Sequence, residues 1–226
     1  MQNLEIVTTA DGSKTIYNPT IGENYHSKHG ALQESLHVFV GKGLQYYIEN
    51  NPNTKSVSVL EVGFGTGLNF LLSAQHCINN KIELNYTGIE AFPLSNQMIS
   101  ETEYQQYIEA NLWETFLTQY PNAITKTTFF NAFCNLTIAH TNLLDFKSDK
   151  LVDIIYFDAF AAIHQPQMWT LESISHTVKF LKPGGVFVTY AITGNLKRML
   201  TQLGMRIEKV PGAANKREML RAIKIG

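Results

Sequence analysis

Alternating strand and helix signals predict an α/β protein built on a mostly parallel sheet covered by helices. Three observations carry this. Apolar runs at 57–62, 82–90, 136–140, 151–157 and 186–190 alternate with helical stretches. A glycine turn, Gly63-Phe64-Gly65-Thr66-Gly67, follows the first of these runs. Polar or acidic residues stand at the ends of the runs, where ligands of open α/β sheets bind.

In order along the chain, Asp11-Gly12-Ser13 predicts a turn between two short strands. Leu32, Leu36, Phe39, Val40 and Leu44 predict a helix over 31–50, weakened in the middle by Gly41 and Gly43. Val57–Val62 reads as a strand, Leu68–Cys77 as a helix and Ile82–Glu90 as a second strand. Tyr104, Tyr107, Ile108, Leu112 and Phe116 mark a mainly helical stretch, and Leu136–His140 and Leu151–Phe157 are strands. A helix over Thr170–Leu181 is expected to stop at Lys182-Pro183-Gly184-Gly185. Val186–Tyr190 is a strand, Leu196–Leu203 a helix, and Arg206–Val210 and Met219–Ile225 a terminal strand pair.

The 226 residues, 44% hydrophobic, suffice for one domain with a sizeable core. We expect one domain over 1–226, with 1–50 an extension covering the site and 51–226 the core. No run reaches the ~18 apolar residues of a membrane span, and the start MQNLEIVTTADGSK lacks a signal-peptide pattern. Cys77 and Cys134 lie far apart without metal-type spacing, which fits a reduced cytoplasmic setting. His26 and His29 have no thiolate or carboxylate at ligand spacing, so no metal is expected. A net charge of −1 argues against gross attraction to nucleic acid. The charge is uneven, however. From Lys197 onward stand eight basic residues against Glu208 and Glu218, leaving ten basic and 17 acidic residues before them. Such asymmetry marks either a solvated surface or an anion-binding face.

The turn Glu61-Val62-Gly63-Phe64-Gly65-Thr66-Gly67-Leu68-Asn69 lets backbone come close to a ligand. Leu68 occupies the place where a nicotinamide-dinucleotide fingerprint needs Gly or Ala for close helix packing. The G-x-G-x-G form, with Glu61 two residues ahead, resembles motif I of class I S-adenosylmethionine (AdoMet) methyltransferases. That resemblance implies a Rossmann-like, seven-stranded sheet with an antiparallel C-terminal strand. It also implies cofactor contacts from Glu61, Gly63, Phe64, Gly65 and Gly67. Glu90, at the end of the second strand, accepts the ribose hydroxyls in this reading. Asn142, where many relatives carry Asp, meets the adenine through its amide oxygen.

Asp158 closes the run Val152-Asp153-Ile154-Ile155-Tyr156-Phe157, at the mouth of a central strand. Relatives acting on amides or adenine amines often carry Asn/Asp-Pro-Pro-aromatic here, whereas this chain has Asp-Ala-Phe-Ala-Ala. An isolated carboxylate suits an sp³ amine whose N–H needs an acceptor. Thr9-Ala10-Asp11-Gly12-Ser13, Tyr25-His26-Ser27, Gly30 through Ser35, Phe157-Asp158-Ala159-Phe160, Gln165 through Thr170, Thr189-Tyr190 and Lys216-Arg217-Glu218-Met219-Leu220 together resemble the MnmC-like methyltransferases. These occur free-standing or as half of a bifunctional enzyme. The chain departs from that pattern at Ala162-Ile163-His164 and at Ala213-Ala214-Asn215.

The resemblance implies AdoMet-dependent methylation of the amine of 5-aminomethyl(-2-thio)uridine at the tRNA wobble position, with Asp158 the catalytic acid. It implies a partner tRNA, and separate enzymes making the aminomethyl intermediate, since 226 residues leave no room for a flavin oxidase. Tyr25, Phe160, Trp169 and Tyr190 are candidates to hold the base. Lys216 and Arg217 are candidates for phosphate, and Gly30 and Glu34 for shaping the pocket. Two alternatives stay open: a small-molecule or polyamine N-methyl- or aminopropyltransferase, and a non-catalytic RNA- or nucleotide-binding protein of the same fold.

Overall fold

The computed structural model describes residues 4–213 and 216–226. Ala214 and Asn215, from the departure just before Lys216, and the first three residues of the start read for a signal segment lie outside the described residues. Strands are numbered in chain order. The first three, β1 (Glu5–Thr8), β2 (Lys14–Asn18) and β3 (Glu23–Asn24), form a small antiparallel sheet. The Asp11-Gly12-Ser13 turn joins the first two of these, with Gly12 at φ 84°.

The main sheet has eight strands: β4 (Ser56–Val62), β5 (Glu83–Glu90), β6 (Thr128–Asn131), β7 (Cys134–His140), β8 (Val152–Phe157), β9 (Leu181–Thr189), β10 (Met205–Pro211) and β11 (Glu218–Lys224). Their order is β10-β11-β9-β8-β4-β5-β7-β6. The five strands from β9 to β7 run parallel, and β10, β11 and β6 pair antiparallel at the two edges. The expected seven strands are therefore eight. The extra one, β6, escaped because it is four residues long and its sequence, Thr128-Phe129-Phe130-Asn131, sets two adjacent apolar residues between polar ones, although burial itself alternates along the strand.

Alternate residues of the central strands feed two cores, one on each face. Val57 and Val59 of β4, with Ile154 and Tyr156 of β8, pack with the helix Leu68–Asn79 and with Trp113 and Phe116 of the helix Ala110–Ala123. Leu60, Val62, Ile155 and Phe157 pack on the other face against the helices Leu171–Val178 and Gly194–Gln202. This is the period-two pattern of strands buried on both sides.

Two local expectations change. The helix over 31–50 is not interrupted at its glycines. It runs α over Ala31–Glu34, takes wider π-type turns over Ser35–Gln45, and is α again over Tyr46–Asn50. A Cβ on Gly43 would lie 3.0 Å from both Tyr156 and Val188, so glycine lets this helix close onto the sheet. The helix ending near Leu181 stops instead at Val178, and Lys182-Pro183-Gly184-Gly185 lies inside β9. The ladder there skips from Val152–Leu181 to Ile154–Val186, so these residues bulge out of the sheet, with Gly184 at φ 75°.

Candidate active site

The carboxyl ends of β4, β5, β7, β8 and β9 converge. Val62 and Phe157 are register partners, and the Asp158 N–H donates to the Val62 carbonyl at 2.9 Å. The glycine turn therefore begins directly beside Asp158. Gly63 has φ 86°, and a Cβ there would come 2.5 Å from the Asp158 carbonyl oxygen. Only glycine permits both the left-handed backbone and this approach. Thr141 N–H donates to the Glu90 carbonyl at 3.2 Å, which brings the end of β7 alongside.

A cavity of about 660 Å³ opens over these ends. Gly63, Phe64, Gly65, Glu90, Asn142 and Asp158 all line it. One Glu90 oxygen accepts the Gly65 N–H at 2.9 Å and the other accepts the Phe92 N–H at 3.0 Å. The carboxylate is thus fixed at the rim of the glycine turn. Asn142 donates to Asp145 at 3.2 Å, which leaves its amide oxygen as the acceptor. Asp145 lines the same wall, so a carboxylate stands three residues beyond the place where relatives carry one. Among the described residues, neither Lys nor Arg lines this cavity, while Glu90, Asp145 and Asp158 do. A glycine cradle, a bidentate acid and an anionic wall fit a cationic sulfonium carrying a ribose and an adenine.

A second cavity, about 470 Å³, lies on the other side of Asp158. Tyr25, His26, Asp158, Ala159 and Phe160 line both, so Asp158 stands at their junction. Tyr25 meets Phe160 edge to face at 5.1 Å, and the Tyr190 hydroxyl donates to the Ala159 carbonyl at 2.9 Å. Glu34 accepts the Ser27 N–H at 2.9 Å with one oxygen and Lys216 Nζ at 2.7 Å with the other. The Lys216 ammonium also sits 4.4 Å from the centre of the Tyr190 ring. Glu23, which sequence reasoning did not single out, accepts the Ala161 N–H at 2.8 Å and ties the N-terminal sheet to the loop after Asp158.

Electrostatics single out the junction. Removal from water lifts the Asp158 carboxyl well above the usual carboxylate range; Glu34 and Glu23 push the same way, while Asn69 and Lys216 oppose it. Burial likewise lifts Glu61 well above that range, with Asp158 adding to it. Burial lowers His26 to about 4, against the pull of Glu34 and Asp11, so it is neutral at pH 7.

Five predicted site residues line neither cavity. Glu61 is completely buried and holds Asn69 and Tyr86, at 2.7 and 2.8 Å, in place of a direct cofactor contact. Gly67, at φ 78°, starts the helix Leu68–Asn79 and makes room for Phe116. Gly30 makes room for the Asp11 side chain, which accepts the Gln33 N–H at 3.0 Å in the first helical turn. Trp169 is 8% exposed and stands behind the wall, donating to the Phe160 carbonyl at 2.8 Å and packing on Phe157. Arg217 is exposed outside both cavities. Asn69, by contrast, lines the first cavity and was missed. The signal was one amide in an otherwise apolar first turn, Leu68-Asn69-Phe70-Leu71-Leu72.

Among the described residues, no cluster of three or more His, Cys, Asp or Glu side chains is arranged to hold a metal. No helix there is long and apolar enough to cross a membrane.

Comparison with known proteins supplies the family. A family model described as S-adenosyl-L-methionine-dependent methyltransferase matches residues 105–225. The chain is 32% identical over 205 residues to the tRNA 5-methylaminomethyl-2-thiouridine biosynthesis bifunctional protein MnmC of Leptospira borgpetersenii, covering 87% of this chain and 31% of that protein. The protein of the same name from Pseudomonas putida is 29% identical over 215 residues, covering 89% and 32%. The chain thus spans about a third of the length of these curated relatives. MnmC2 from Aquifex aeolicus superposes with a TM-score of 0.76 at 24% identity, covering 98% of this chain and 70% of that one. The sugar N-methyltransferase KedS8 from Streptoalloteichus shares the fold at a TM-score of 0.52 and 11% identity, covering 86% and 87%. With a glycine cradle, a strand-end acid at 90 and a matched family model over more than half its length, the chain belongs to the S-adenosyl-L-methionine-dependent methyltransferases and takes its methyl group from AdoMet.

Proposed function

We propose that this enzyme methylates the amine of a 5-aminomethyl(-2-thio)uridine presented at the tRNA wobble position. The observation that carries the proposal is the place of Asp158, at the junction of the AdoMet cavity and a second, aromatic-walled cavity. The similarity to MnmC proteins supports this substrate class. Gly63, Phe64, Gly65, Glu90 and Asn142 hold AdoMet in this reading. AdoMet, when bound, supplies an electrophilic methyl group whose S–C bond breaks as an N–C bond forms.

The chain's own residues do the rest. Tyr25, Phe160 and Tyr190 wall the second cavity and receive an unstacked base. Their apolar faces favour the neutral amine, whose alkylammonium form resembles Lys at a pKa of ~10.4, against the opposite pull of Glu23 and Glu34 in the same cavity. Asp158 accepts one amine N–H, aims the nitrogen lone pair and takes the proton released on alkylation. A carboxyl lifted above the usual range is the better proton acceptor for this purpose. Lys216 and Glu34 act as a pair within the base cavity, and Arg217 is left to meet phosphate from the exposed surface. Residues 1–50 serve as a cover over a core of 51–226, the two forming one domain. An upstream reaction must supply the primary amine on the uridine, and an enzyme acting on tRNA works in the cytoplasm.

The test is transfer of tritiated methyl from AdoMet to tRNA carrying the aminomethyl group, with nucleoside mass spectrometry of the product and polyamines as the competing acceptor. Label in 5-methylaminomethyluridine supports the reading. Label in polyamines alone, or in neither acceptor despite normal AdoMet binding, rejects it.

A further inference from the structure

We infer that Asn69 is a positioning residue for methyl transfer, whose amide aims the Asp158 carboxylate and anchors it to the buried Glu61. The inference rests on the reaction proposed above for its kinetic consequence, though not for its geometry. Asn69 is the second residue of the helix Leu68–Asn79 and is 3% exposed. Its Nδ2 donates to Glu61 Oε1 at 2.7 Å and to Asp158 Oδ2 at 2.8 Å. A primary amide has two N–H donors, and both are used here, each on a carboxylate. Glu61 Oε2 in turn accepts the buried Tyr86 hydroxyl at 2.8 Å. Hydrogen bonds therefore run from Tyr86 in the core, through Glu61 and Asn69, to the wall between the two cavities.

The other end of the amide strengthens the case. Asn69 Oδ1 is buried and has no hydrogen-bond partner among the described residues. An unmet buried carbonyl costs about 1–3 kcal/mol, and such a group in a folded protein needs an explanation. Turning the amide over would set its oxygen against two acids, so the donors are held inward at the oxygen's expense. The beneficiary is the orientation of Asp158.

Several charged or titratable groups face Asp158. Glu61 approaches from β4, Glu34 from the helix over 31–50, Glu23 from β3 and Lys216 from the segment before β11, while Tyr25 and Tyr190 present phenols. Two of the neighbouring acids disfavour a charged Asp158, and Asn69 is one of two groups opposing them. Without its donor, the Asp158 pKa must rise and its carboxylate must lose its aim. AdoMet binding rests in this reading mainly on the glycine turn and Glu90, so it should change far less than turnover although Asn69 lines the same cavity.

The experiment compares wild type with Asn69→Leu and Asn69→Asp, after thermal melting shows that each is folded. In the tRNA assay, Asn69→Leu should lower kcat at least about tenfold. Its AdoMet Kd by calorimetry should stay within about threefold, and the acid limb of the kcat profile should move up by about half a pH unit or more. Carbon-13 NMR titration of the Asp158 carboxyl in the cofactor-free protein reads the same coupling without any acceptor, and Asn69→Leu should raise that pKa. Asn69→Asp conserves volume but places a third acid there, so its shift should be larger, and it serves if the leucine variant does not fold. Absence of methyl transfer by the wild type would remove the substrate reading and leave the NMR titration to decide on Asn69. An Asp158 titration unchanged in both variants overturns the inference.

Discussion

At the scale of single residues, Asp158 and Gly63 are coupled by contact, and each makes a separable prediction. Replacing Asp158 with Ala should leave AdoMet affinity nearly intact and lower kcat roughly 10²–10⁴-fold, the usual range for a lost proton acceptor. Calorimetry beside a single-turnover assay measures both. Because the Asp158 carboxyl lies above the usual range, kcat should fall as pH drops, beginning above the pH expected of an ordinary aspartate. A profile flat down to pH 4 would remove Asp158 as the proton acceptor. Gly63→Ala forces φ 86° on a residue with a Cβ and drives that atom into the Asp158 carbonyl. A loss of about 1–3 kcal/mol in stability, with AdoMet binding abolished, is the expected outcome in thermal melts with and without AdoMet.

At the scale of elements, polar contacts order the N-terminal sheet and the helix after it, and Glu23 links that sheet to the loop after Asp158. His26 Nδ1 lies 2.8 Å from the Thr15 hydroxyl, Glu23 holds the Ala161 N–H and Glu34 holds Ser27. His26 is buried neutral, lowered to about 4 from the ordinary 6.5. The unfolded chain therefore binds a proton that the folded one refuses. Stability from this group is fully present above about pH 6.5 and declines as pH falls toward 4, on the order of 3 kcal/mol in all. Hydrogen exchange of residues 5–29 should accelerate over that window, and His26→Gln should flatten the change. Glu61 behaves oppositely. Its folded pKa is raised, so its cost appears as pH climbs above the usual carboxylate range. The melting temperature of Glu61→Gln relative to wild type should accordingly increase with pH.

At the scale of the whole molecule, the basic C-terminal part has less to offer a phosphate backbone than its count suggests. Arg206 and Arg221 both pair with Glu208, and Arg221 also stacks on Tyr46 at 3.4 Å. Lys224 Nζ donates to the carbonyls of Val178 and Leu181 at 3.1 and 2.7 Å, and Lys216 is held by Glu34. Arg198, Lys209 and Arg217 remain exposed, and Lys197 is half-buried. Binding of tRNA should therefore weaken only moderately with salt. Arg217→Ala should reduce the slope of log K against log salt by about one. Lys216→Ala should leave that slope alone and lower kcat/KM, as expected of a residue lining the second cavity. Equal slopes for wild type and Arg217→Ala in filter binding from 50 to 200 mM salt would remove Arg217 from the phosphate contacts.

The alternation of strands and helices, the glycine turn, Glu90 and Asp158 were legible because each depends on chain-local chemistry. Period-two burial marks a strand, positive φ calls for glycine, and an acid closing an apolar run lies at a strand mouth. The edge strand β6 was not legible, since four residues with Phe129 and Phe130 side by side show no alternation in the sequence, although their burial alternates in the fold. Nor were the separation of Glu61 from the cavity, the structural duties of Gly30, Gly67 and Trp169, or the bridge made by Asn69. Each of these depends on which side chains from distant segments fill the same space: Asp11 against Gly30, Phe116 against Gly67, Glu61 and Asp158 on either side of one amide. Local chemistry determined where the glycine turn and the strand-end acids stand along the chain. Packing between segments decided which residues line the two cavities and which only hold the lining residues in place.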